Sequence, residues 1–128
     1  MQNFSLAIIV GLGGFLGAFS RYIISTFFSK IFQGNFPYGT LAVNILGALL
    51  IGFIMEFSIN SPMISQHTKL FLTTGVLGGL TTFSTFSYET IKLLSSGNFL
   101  LSIQNIVLNL GCSLFFVVLG QKLSKFFI

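Results

Sequence analysis

Acidic side chains are nearly missing from this chain: Glu56 and Glu89 are the only carboxylates in 128 residues, and charged residues of both signs make up 6% of it. Tryptophan is absent, and cysteine and histidine occur once each, as Cys112 and His67. A single thiol excludes an intramolecular disulfide and a cysteine metal cluster. One histidine, two acids far apart in sequence and one cysteine give no catalytic pair. The net charge of +4 comes from basic residues scattered one or two per loop, so no basic patch for nucleic acid forms. So little charge cannot cover a soluble domain, and what fills the chain instead is apolar: 53% hydrophobic residues and a mean hydropathy of +0.94.

Four apolar segments follow one another, about residues 4–28, 41–57, 70–94 and 99–120, each near the ~20 residues that cross a hydrocarbon core about 30 Å thick. The connections are short and carry turn signals: Asn35-Phe36-Pro37, Asn60-Ser61-Pro62 and Gly97. The expected architecture is all-α, one transmembrane domain over residues 1–128 with four spans in a lipid bilayer, multi-pass in the cell membrane. The first segment has no basic region ahead of it, and Arg21 and Tyr22 stand where a signal peptide would have its small-residue cleavage site, so it is expected to stay as a helix. Four spans put Lys69, Lys122 and Lys125 on one side and Arg21, Lys30 and Lys92 on the other. Orientation follows the Lys and Arg asymmetry of short loops, so a chain balanced three against three has little reason to choose one direction unless His67 or the N-terminal amine tips it.

Polar residues inside the spans need partners, because an unpaired amide in hydrocarbon costs several kcal/mol. Asn44, in LAVNILGALLIGF, must face protein or water; a helix-to-helix hydrogen bond is one reading and a passage the other. Thr40 is placed to cap the second helix, and Ala48 and Gly52 form a small-xxx-small packing face. In the first span Gly13, Gly17 and Arg21 share a face at four-residue spacing. Arg21 either snorkels to the headgroups beside Tyr22 or stands at an aqueous mouth that concentrates anions. Asn105, Asn109 and Ser113 make a polar stripe on the fourth span that lines a passage or joins two helices. Glu56 reads as interfacial; Glu89, closer to the hydroxyl-rich third span, is the better functional candidate.

The third span carries the most specific signal, GVLGGLTTFSTFSYE from Gly75 to Glu89. Gly78-Gly79 invites a break in the helix, and irregular backbone at membrane depth is tolerated only where protein or a water-filled cavity surrounds it. Thr81, Thr82, Ser84, Thr85 and Ser87 offer hydroxyls to the freed backbone or to a permeant species. Phe83 and Phe86 share a face three residues apart, either as ordinary packing or with positive ring edges turned to an anion. Carbonyls unwound at Gly78 and Thr81 have the opposite polarity and suit a small cation.

The segment GGLTTFSTFSYE, preceded by GTLAVN and by GGFLGAFSRY, resembles the Fluc (CrcB) fluoride channels of microorganisms along nearly the whole chain. The resemblance implies a passive, fluoride-selective channel that exports the anion from the cytoplasm through two pores of an antiparallel, dual-topology homodimer. It implies that Phe83, Phe86 and Asn44 line the pore with Ser84 and Thr85 beside them, that Arg21 attracts the anion at the vestibule, and that carbonyls of Gly78 and Thr81 hold a central structural sodium ion. Thr40, Glu89, Asn109 and Ser113 are left as candidates for support or gating, and the resemblance assigns no specific role to the stripe Asn105, Asn109 and Ser113. Two other readings remain: a small dual-topology multidrug and proton exchanger, which needs a membrane-buried carboxylate and gets no tryptophan platform for a cationic drug, and a non-transporting assembly subunit whose polar residues only join helices.

Overall fold

Low charge and long apolar runs predict helices that satisfy their own backbone, and the computed structural model, which describes residues 1–128, contains helices and no strand. Helix α1 spans Gln2–Ile31, α2 Tyr38–Asn60 and α6 Phe99–Ser124, the last prolonged by a 3-10 turn at Lys125–Phe127. These three are each long and apolar enough to cross a membrane. At 1.5 Å per residue the 30 residues of α1 reach ~45 Å, more than a bilayer core about 30 Å thick, so α1 either tilts or extends past the core.

The fourth crossing is assembled from pieces: α3 Gln66–Leu70, a π-helical stretch Phe71–Leu77, α4 Gly78–Leu80, and, after a two-residue interruption, α5 Phe83–Ser95. The break sits at Thr81-Thr82, three residues beyond the expected Gly78-Gly79. Both of these glycines stay helical, and at least Gly79 is glycine for space: a Cβ there would stand 2.5 Å from the Gly14 carbonyl oxygen of α1. The chain instead opens where Thr81 (ψ 158°) and Thr82 (φ −150°, ψ 121°) are extended. The Thr82 hydroxyl then starts α5 by accepting from the Thr85 amide at 3.2 Å, an N-cap.

Small residues set how the spans meet. A Cβ on Gly17 would fall 2.0 Å from the Val76 carbonyl oxygen, and one on Gly13 2.6 Å from that of Phe71, so α1 lies backbone to backbone against the π-helical stretch. On the other side, Gly52 of α2 meets the Val117 carbonyl of α6, and Gly120 of α6 meets that of Leu49. The Ala48 and Gly52 face is thus a packing face, as the spacing indicated, with Ala48 buried. Val43, Leu77 and Leu80 form the small apolar core between the layers. The α2 start also differs from expectation. Pro37 takes the N-cap position, and Thr40, inside the helix, turns its hydroxyl to Glu89.

Candidate functional site

Thr82 is the pivot of the site because, as the residue that starts α5, its N–H belongs to neither helix and needs a partner at membrane depth. Its N–H, which an unbroken helix would direct to the Gly78 carbonyl, donates to Asn44 Oδ1 at 2.9 Å. Asn44 Nδ2 donates back to the Thr82 carbonyl at 3.2 Å and to Asn109 Oδ1 at 2.9 Å. One side-chain amide thereby replaces the missing turn of helix and ties the second, third and fourth spans together.

From Asn109 the donation runs on in one direction. Its Nδ2 reaches Asn105 Oδ1 and the Asn105 carbonyl, both at 2.9 Å; Asn105 Nδ2 reaches Thr90 Oγ1 at 2.9 Å; and the Thr90 hydroxyl reaches the Phe86 carbonyl at 2.8 Å. Ser102 Oγ adds a bond to the Thr90 carbonyl at 3.1 Å. Asn105 is fully buried. Of the fourth-span stripe, Asn105 and Asn109 therefore join helices, while Ser113 makes no hydrogen bond and lines a cavity. The network grips α5 on both sides of Phe83, at Thr82 and at Phe86. Thr82, Thr90 and Asn105 are the site residues that spacing arguments undervalued, since their partners lie 38 and 15 residues away in sequence.

Two clefts flank the break. The first, about 430 Å³, is lined by Asn44, Thr81, Thr82, Phe83, Phe86 and Ser113 among others, with Gly47 and Gly78 in its wall. Phe83 and Phe86 face it together, with ring centroids 5.6 Å apart and planes inclined at 54°. Phe86 is buried, whereas Phe83 is 74% exposed. Gly47 lets the wall close in, since a Cβ there would stand 2.1 Å from the Thr81 methyl.

The second cleft, about 360 Å³, joins Arg21 and Tyr22 of α1 to Thr40, Thr82 and Thr85. A further space of about 330 Å³ shares Thr40 and Thr85 with it and continues to Lys30 and Glu89. Arg21 lies ten residues before the end of α1, ~15 Å along the axis, and it faces this polar cleft. No carboxylate pairs with it, because the one ion pair of the molecule is Lys125 with Glu56 at 3.9 Å. The Thr40 hydroxyl donates to Glu89 Oε1 at 2.9 Å, leaving Oε2 buried without a partner. Ser84 and Thr85 are exposed on the outer face of α5; the Thr85 hydroxyl is unspent, and that of Ser84 has only a 3.5 Å contact with Thr82.

Gly78 is exposed and Thr81 half-exposed beside the break. The Gly78 carbonyl has lost the Thr82 amide, and the Thr81 hydroxyl turns back to the Leu77 carbonyl at 3.0 Å. Carbonyl oxygens released in this way are hard donors of the kind that bind a small cation. There is no cluster of histidine, cysteine or acidic residues that would hold a transition metal.

With this geometry in hand, known proteins give it context. The profile of the family described as CrcB-like protein, camphor resistance, matches residues 8–121. A fluoride-specific ion channel FluC of Clostridium perfringens strain 13 is 71% identical over 125 residues, covering 98% of each chain. The FluC proteins of Clostridium novyi strain NT and of Ruminiclostridium cellulolyticum are 63% and 46% identical over the same length, covering 98% of this chain in each case and 98% and 96% of theirs.

Proposed function

The chain belongs to the CrcB-like family, and we propose that it is a passive, fluoride-selective channel of the cell membrane whose pathway follows the broken third span. The observation that carries this reading is the Asn44 clasp. It holds Thr81 and Thr82 extended in mid-span and, through the network beyond it, keeps Phe83 and Phe86 facing one cavity. A protein that only needed a fourth crossing would spend none of these polar groups.

Fluoride is small and tightly hydrated, so a selective path must supply donors close together in place of its water shell. Hydroxyls of Ser84, Thr85 and Ser113 and the positive edges of Phe83 and Phe86 are the donors not already spent within the subunit. Both amide hydrogens of Asn44 are engaged, on Thr82 and Asn109, so Asn44 serves a passing ion by lending the hydrogen it shares with Asn109. Arg21 raises the local fluoride concentration from its cleft. Thr40 and Glu89 hold the cleft wall, and a change in their bond is the candidate gate.

The pathway is completed by a second copy of the chain, inserted in the opposite direction. The exposed hydroxyls of Ser84 and Thr85 beside the break call for protein cover at membrane depth, and one four-span subunit leaves them open. The three-against-three balance of basic residues permits both orientations. Two copies give two pathways, and they bring together two sets of Gly78 and Thr81 carbonyls, which would hold a sodium ion at the centre. Such an ion would supply positive charge that lowers the cost of an anion nearby.

The test is efflux from liposomes reconstituted with purified protein and loaded with fluoride or chloride. Fluoride is expected to leave rapidly while chloride stays. Equal retention of both by well-folded protein would leave an assembly role as the better reading, and proton-driven movement of a cationic drug would favour an exchanger.

A further inference from the structure

A separate cavity lies at the opposite end of the bundle from the Arg21 clefts, where α1 begins, α2 ends and α3 starts. It measures about 470 Å³. Gln2, Gln66, His67, Lys69 and Thr74 bring polar side chains to it, and Leu6, Met55 and Leu70 make its apolar floor. The side chains of those five polar residues form no hydrogen bond or ion pair within the protein, so their donors are unspent. Thr73, which also lines it, has its hydroxyl committed to the Lys69 carbonyl at 2.8 Å. No carboxylate lines the cavity. Glu56, the one acid at this end, is taken by Lys125 and by Asn60 Nδ2.

Donor-rich, cationic lining without an acid selects an acceptor-rich anion. The apolar floor selects one that carries hydrocarbon. The position, at the ends of three membrane helices, is the depth at which lipid headgroups meet acyl chains. We propose that this cavity seats the phosphate headgroup of an anionic phospholipid, with Lys69 and His67 on the phosphate, the Gln2 and Gln66 amides on the headgroup polar atoms, and the first part of an acyl chain over Leu6, Met55 and Leu70. Such a lipid would hold the α3 end of the broken span against α1 and α2.

Native mass spectrometry of the purified protein, offered equal amounts of dioleoyl phosphatidylglycerol and dioleoyl phosphatidylcholine, tests this without reference to transport. The wild type is expected to retain phosphatidylglycerol in preference. Lys69→Gln is expected to reduce that preference about fivefold, the worth of one cation near an anionic headgroup, and Lys30→Gln, at the other end of the bundle, to leave it unchanged. A thermal melt in detergent checks that both variants fold. If Lys69→Gln fails to fold, His67→Gln takes its place, and a smaller fall in the same direction is expected. Equal retention of the two lipids by the wild type would overturn the proposal, as would an equal fall in Lys30→Gln. Loss of bound phosphatidylglycerol on adding inorganic phosphate alone would also overturn it, by assigning the cavity to a soluble anion.

Discussion

Asn44 makes three hydrogen bonds from the middle of α2, and one of them replaces the backbone bond that the Thr82 N–H loses at the break. Leucine at that position would leave the Thr82 N–H unpaired at membrane depth, at a cost of ~1–3 kcal/mol. Asn44→Leu is therefore expected to lower the melting temperature in detergent and to abolish fluoride efflux, whereas a variant that melts and conducts like the wild type would show that the clasp is dispensable. Gly17 makes a second test. Alanine there would force its Cβ toward the Val76 carbonyl oxygen, 2.0 Å away, and overpacking of this kind costs ~1–3 kcal/mol. Gly17→Ala should melt measurably lower, and Gly11→Ala, where the new Cβ meets nothing within 4 Å, should not. At this scale much was legible. An asparagine and a phenylalanine pair inside apolar runs call for polar or aromatic neighbours, and the structure gives Asn44 its partners on the third and fourth spans and sets Phe83 and Phe86 along one cavity. The role of Thr40 was not legible, because a threonine near a helix start reads as a cap until Glu89 is seen opposite it.

Among the elements, the third span shows where sequence reasoning stops. That it breaks follows from composition, since a run with paired glycines and many hydroxyls has no reason to be a plain lipid-facing helix. Where it breaks depends on which backbone groups find partners, and the partner of the Thr82 N–H comes from a residue 38 positions earlier. The Gly-Gly pair drew attention to the wrong residues because a close helix crossing and a helix break both call for glycine. The π-helical stretch Phe71–Leu77 left no mark in the pattern of apolar residues. The Asn105 to Thr90 link between α6 and α5 makes its own prediction. Thr90→Val keeps the shape but removes the hydroxyl that joins Asn105 to the Phe86 carbonyl. Hydrogen bonds between membrane helices are worth ~0.6–2 kcal/mol, so a loss of stability of that size, read as a lower melting temperature, is expected together with slower fluoride efflux. Unchanged values for both would reduce the network to incidental contacts.

The whole molecule is a four-crossing membrane protein with its polar groups concentrated along one broken span and its basic residues shared between the two ends. The three long apolar helices and the charge balance were readable from hydropathy and counting. How the exposed hydroxyls of α5 are covered was not, since nothing in a single chain's hydropathy specifies a partner surface. A reporter fused after Ile128 is expected on both faces of the membrane, and labelling from one face alone would contradict opposite insertion. The claim on which the account rests is that fluoride crosses beside the paired rings of α5. Fluoride efflux through the Phe83→Ile, Phe86→Ile double variant, set beside Gly11→Ala in the same vesicles, tests it most directly. Two ring-edge contacts, taken at the ~0.5–1.5 kcal/mol of an aromatic edge contact each, predict a fall of about fivefold or more in the double variant, with Gly11→Ala at the wild-type rate. Wild-type efflux through a properly folded double variant would place the pathway elsewhere.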